Sequence, residues 1–216
     1  MKQGYETGIR LEFSNGRPAI TDVADINRVL ATHGSRIWPL DLRGAPEHVR
    51  QLLNRPTLND AESTQVREHF LLSRERLLDV IKEAGRTPQV PGGGNMSTLD
   101  STHGILYPQL YIAEPGVDYS RFDRFHVNIS EDGTGVDEVG QVLSGGGMKV
   151  LQRLPDVGLV TLYIGCIEGE TGWIVTYDGA NPHIGSFSQA RMGTKALVQV
   201  IGPAQWEMKY MDQTQE

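Results

Sequence analysis

Three side chains in the second half of this chain have the types and order that hold a divalent metal: His126 in His126-Val127-Asn128, Glu138 in Asp137-Glu138, and His183. Two imidazoles and one carboxylate are the ligand set of mononuclear centres that keep positions open for substrate and oxygen. In an extended segment His126 and Asn128 share one face, so Asn128 is either a weak oxygen ligand or a hydrogen-bonding neighbour of the site. Asp137 and Glu138 face opposite sides. Glu138 is read as the inward carboxylate, and a one-residue slip in register would put Asp137 in its place. By donor type the set suits Fe(II), Ni(II), Mn(II) and Zn(II) about equally.

Such residues meet only if strands carry them. After residue 88 the sequence reads as short β-runs at 105–112, 122–129, 140–143, 148–154, 159–167, 173–177 and 196–201, separated by turn residues. That grammar predicts a closed antiparallel barrel or a sandwich. Upstream, Ile9, Leu11 and Phe13 alternate before Asn15-Gly16 and a return through Ile20, which reads as a hairpin. Asp22 caps a helix ending at Gly34, Pro46 opens a second that Pro56 closes, and Asn59 or Asp60 caps a third, longer one running to Gly85. The Pro91 to Asn95 loop marks a boundary. The expected division is residues 1–90 as a hairpin and helical arm packed on the barrel, and 91–216 as the barrel.

Composition bounds the partners. The net charge of −7 and the scattered arginines exclude a generic nucleic-acid binder, which needs a basic face. No segment is apolar enough for a membrane span, the N-terminus has no signal-type apolar run, and the cytoplasm is the expected compartment. The single cysteine, Cys166, lies in the alternating run Val160, Leu162, Ile164 and reads as a packed strand residue. His33, His48 and His69 read as surface histidines, and glycines 92–94 lack the strand and helix context of a phosphate cradle.

With these residues in view, the second half resembles the cupin superfamily. Its first motif, His-x-His followed by Glu and, after six residues, Gly, is similar to His126-Val127-Asn128, Glu138 and Gly145. Its second is similar to Gly179-Ala180-Asn181-Pro182-His183. Within the superfamily the chain resembles the acireductone dioxygenases: Asp137-Glu138-Val139 with Gly145-Gly146-Gly147, a helix from Asp25 leading through Gly34 to Trp38, and Pro203-Ala204-Gln205-Trp206 all have counterparts there. The chain departs from that pattern at Asn128, where the family has a second His, in the longer loop between His126 and Glu138, and at Gly140, where the family has a substrate-holding Arg.

The resemblance implies a mainly β fold, the antiparallel double-stranded β-helix barrel of cupins with an α-helical N-terminal arm. It also implies an oxidoreductase: a dioxygenase with one bound metal, Fe(II) or Ni(II) first, held by His126, Glu138 and His183 with Asn128 beside them. A small enediol or oxo-acid metabolite would chelate that metal and react with O2. Glu138, Gln152 and Arg153 are the expected catalytic residues, with Gln141 and Trp173 completing the pocket. The alternatives are a metal-dependent isomerase, epimerase or lyase, and a non-catalytic small-molecule-binding cupin. A monomer or homodimer is expected, with neither nucleic acid nor membrane as partner.

Overall fold

Eleven strands pair antiparallel into two sheets in the computed structural model, which describes residues 7–88, 108–203 and 205–211. The elements run β1 (Gly8–Phe13), α1 (Val23–Leu30), β2 (Arg36–Asp41), α2 (Glu47–Leu53), α3 (Asp60–Phe70), α4 (Arg74–Glu83), β3 (Gln109–Ile112), β4 (His126–Ile129), β5 (Asp137–Ser144), β6 (Met148–Leu154), β7 (Gly158–Gly165), β8 (Thr171–Asp178), β9 (His183–Ser186), β10 (Lys195–Ile201) and β11 (Glu207–Tyr210). One sheet has the order β1-β7-β6-β9-β4-β11 and the other β2-β8-β5-β10-β3. Residues 105–107, glycines 92–94 and the boundary near residue 90 lie outside the described residues.

The two sheets differ in what covers their outer faces. β6 alternates buried and more accessible residues, as a strand with one wet face does. All eight residues of β5 are buried, because the helical arm lies on the outer side of its sheet. Val49, Leu53, Val66 and Phe70 pack on Leu143 and Leu197, and Leu77 and Val80 on Val139 and Ile174. The space between the sheets is filled by Leu11, Val142, Val150, Leu162, Trp173 and Val175, among others. β1 and β2 are themselves edge strands, paired with β7 and β8. Pro39 sits in β2, where an edge tolerates its missing N–H.

Local chemistry accounts for the helix ends. Asp22 accepts from the Asp25 N–H. Asn59 and Glu62 form a reciprocal capping box. The long third helix expected from the sequence is two helices. The chain turns extended at Leu71 (ψ 117°), and Ser73 caps α4 by accepting from the Arg76 N–H. The break is held from β10, where the Gln199 amide accepts from the Leu72 N–H at 2.9 Å and donates to the Leu72 carbonyl at 3.0 Å. Gln199→Leu is expected to lower stability by about 1–2 kcal/mol, since a half-buried backbone donor and acceptor lose their partners together. Urea unfolding reads this, and an unchanged midpoint would mean that Gln199 does not hold the break.

Cys166 is fully buried with its Sγ toward the Val142 carbonyl, and burial pushes its thiol up to about 12, so it packs rather than reacts. Among the described residues no helix is long and apolar enough to cross a membrane.

Candidate metal centre

β4 and β9 are neighbours with His126 paired to His183, and this single register pair brings together imidazoles 57 residues apart in the chain. Their ring centroids are 4.5 Å apart. The pairing depends on the turn after β8: the Asn128 N–H donates to the Gly179 carbonyl at 2.7 Å, and the Gly179 N–H to the Val136 carbonyl at 2.7 Å. A Cβ at Gly179 would stand 2.7 Å from that same Val136 oxygen, so a side chain there would push the His183 turn off β4. Gly145 has φ +78° and lies against Thr194, which only a glycine permits in this turn.

From the facing sheet, Glu138 of β5 points between the sheets, with Tyr177 of β8 and Val200 of β10 as its register partners. His126, Asn128, Glu138 and His183 are all buried, none more than 6% exposed. Together with Tyr177, Gly185 and a wall of Tyr111, Phe122, Met148, Phe187, Val198 and Met208, they line a cavity of about 50 Å³. Asp137 faces the other way, and its carboxylate takes the Arg86 Nε at 2.9 Å under the helical arm. Glu138 is therefore the carboxylate in the cavity.

Hydrogen bonds fix how the donors are aimed. Each imidazole has its Nδ1 2.8 Å from a backbone carbonyl, of Arg124 for His126 and of Asn181 for His183. A carbonyl only accepts, so Nδ1 carries the proton and Nε2 of the neutral ring keeps its lone pair. His183 Nε2 lies 3.2 Å from Glu138 Oε1 without hydrogen-bond geometry. Asn128 Nδ2 donates to the same carboxylate oxygen at 2.6 Å, leaving Asn128 Oδ1 buried without a partner. A lone pair against a carboxylate oxygen in a buried site calls for a cation between them, either a proton or a metal.

The charges respond accordingly. Burial would raise the Glu138 carboxyl, but His183, Asn128 and His126 outweigh it and hold it below the ordinary carboxylate range. Burial would lower His183, but Glu138 outweighs it and the imidazole is raised. Burial, then the adjacent Glu138 carboxylate, puts the Tyr177 phenol well above its ordinary value, so it stays a neutral donor.

By donor type and burial these residues suit a first-row divalent ion. Among the described residues no three His, Cys, Asp or Glu side chains already stand at the mutual spacing an ion imposes. Glu138 is instead drawn onto Asn128 and His183.

The other expected pocket residues lie elsewhere. Gln141 is on the outer face of β5 and donates to the Phe70 carbonyl at 2.7 Å. Arg153 is exposed, with its guanidinium over the Phe125 ring. Trp173 is in the core between the sheets, donating to the Gly165 carbonyl at 2.9 Å. Gln152 is buried and is the register partner of His183 on β6, yet it does not line the cavity. The residue that sequence reasoning missed is Tyr177. Its ring centroid lies 4.7 Å from that of His183, and only the β5–β8 register places it beside Glu138. The aromatic wall of Tyr111, Phe122 and Phe187 was missed as well, for its members come from three separate segments.

No protein-family model and no curated protein matches this chain by sequence. Among solved structures, its fold is similar to that of an acireductone dioxygenase from Bacillus anthracis with a cadmium ion in its active centre. The TM-score is 0.57 at 13% identity, over 91% of this chain and 94% of that one.

Proposed function

We propose that this chain is a mononuclear metal-dependent dioxygenase of cupin type, in which His126, Glu138 and His183 hold one divalent transition metal. Fe(II) or Ni(II) is the expected ion, and the donors also suit Mn(II) and Zn(II). The observation that carries the reading is the convergence of three donors on one cavity. His126 and His183, each with Nδ1 against a backbone carbonyl, line it from one sheet, and Glu138 enters it from the opposite sheet. In this reading the two sheets are the halves of a double-stranded β-helix, residues 91–216 supply the ligands, and residues 1–90 brace them.

When bound, the ion supplies a Lewis-acid and redox centre that acidifies and orients a chelating hydroxyl. The chain's own residues do the rest. The two backbone carbonyls fix the imidazole tautomers and ring planes, as outer-shell partners of ligating histidines do. Asn128 holds the Glu138 carboxylate, and the Tyr177 phenol stands beside it on β8. The apolar wall excludes water from the reacting centre, which strengthens every electrostatic contact inside. Asn128, standing where a further imidazole would bind, leaves room for both a chelating substrate and O2. The substrate is a small enediol or oxo-acid type metabolite. The similar fold, with its cadmium-bearing active centre, supports this assignment.

Protein produced in metal-replete medium is expected to carry close to one transition-metal ion per chain on elemental analysis. Less than about a tenth of an ion would sink the reading, because an intact three-donor site binds late first-row ions well. Oxygen uptake during turnover separates a dioxygenase from a metal-dependent isomerase or lyase, which would consume none.

A further inference from the structure

We infer, on the basis of the metal-centre reading above, that the cavity selects a chelating substrate with a single negative charge and an apolar body, and rejects dianions. Among the described residues lining the cavity there is no lysine or arginine, and the 89–107 segment contains none in its sequence. Apart from Arg121, which lies over the Phe122 ring, the basic side chains on the strands and loops around it that the structure describes are engaged elsewhere. Arg86 is bound to Asp137 on the far face of β5. Arg124 lies over the Tyr210 ring and Arg153 over Phe125. Lys195 donates to the carbonyls of Leu53 and Gly193. Gly140, two residues beyond Glu138 on the same face of β5, offers no side chain at all.

Charge counting then restricts the ligand. A divalent ion with the Glu138 carboxylate and two neutral imidazoles carries one net positive charge. A monoanionic chelate makes the buried assembly neutral. A dianion leaves a net negative charge in a cavity with no lysine or arginine among its described lining residues, and a buried unpaired charge is strongly disfavoured.

A neighbouring cleft repeats the selection. Tyr111 and Phe122, packed edge to face, belong both to the cavity and to a larger cleft of about 450 Å³. Among the described residues that line that cleft, Asp60, Glu114 and Asp118 stand against one cation, Arg121, which lies over the Phe122 ring. Such a surface beside the cavity, on a chain of net charge −7, repels multiply charged anions.

The test uses Ni(II)-loaded full-length protein under calorimetric titration with two chelators of matched size: acetylacetone, monoanionic when bound, and malonate, a dianion. Each affinity is divided by that of the same chelator for Ni(II) in buffer, and metal content is measured before and after. The expected result is a preference for acetylacetone of about tenfold or more, a difference of one pairwise charge interaction. Met208→Lys, on the edge strand β11, is expected to shrink that preference by placing a cation at the wall. If this variant does not fold, the comparison in the unmodified protein decides alone. Loaded protein that prefers malonate overturns this inference and leaves the metal-centre reading standing. Protein that takes up no metal overturns both.

Discussion

Glu138→Ala is expected to abolish metal retention, whereas Asp137→Ala leaves metal content unchanged. The two carboxylates are adjacent on β5 and therefore point to opposite faces. Glu138 enters the cavity beside Asn128 and His183, and Asp137 sits under the helical arm with Arg86. Loss of supporting partners around a metal costs about 10–100-fold in affinity, and loss of a ligating carboxylate exceeds the top of that range. After dialysis, elemental analysis should find close to one ion per chain in the Asp137 variant and nearly none in the Glu138 variant. The opposite assignment of the two losses would show that β5 is one residue out of register and that Asp137 is the ligand. Loss in both would point to collapse of the strand, which circular dichroism distinguishes.

Arg86→Ala is expected to be the most destabilising single change outside the core, at about 3–5 kcal/mol, because it strips a buried carboxylate of its cation. Arg86 follows α4, and its guanidinium gathers three segments. Nε donates to Asp137 Oδ1 at 2.9 Å, Nη2 to Thr176 Oγ1 at 2.9 Å, and Nη1 to the Gly34 carbonyl after α1. Thr176 in turn donates to the Glu138 carbonyl at 2.6 Å, so this network sits directly behind the candidate ligand. Asp137 is 2% exposed and water cannot take over the guanidinium's role. Paired replacement, Arg86→Met with Asp137→Asn, should recover much of the loss, since removing both charges spares the burial of an unpaired one. Denaturant unfolding of the three proteins tests this. A cost below about 1 kcal/mol for the single change would mean that the pair behaves as a solvent-screened surface bridge.

Much of the site was legible in the sequence because its donors are chemically rare. His126, Glu138 and His183 stand out among strand residues whatever their neighbours, and the Glu138-to-Gly145 spacing marks a strand ending in a turn that only glycine makes. Helix starts were legible for a similar reason. Asp22 and Asn59 act within three residues of themselves, so local chemistry announces them. The helix break at Leu71 was not, because what holds it is Gln199, 127 residues beyond Leu72, while the apolar period runs across the break without interruption.

The pocket beyond the candidate metal donors was decided by tertiary structure alone. Alternation tells which residues of a strand share a face, but it identifies the inner face only when the other is wet. On β5 every residue is buried, since the arm covers one side and the second sheet the other. Gln141 and Glu138 are then equally plausible inward residues on sequence grounds, and only the packing of α3 against that strand turns Gln141 toward Phe70. Tyr177 shows the converse. Nothing in its own segment marks it: its place beside Glu138 follows from the β5–β8 register, and its place against His183 from the facing of the two sheets. The sequence by itself determined which side chains carry donor atoms of the metal-binding type. The apposition of the sheets, through burial and long-range register, decided which of them meet and what surrounds them.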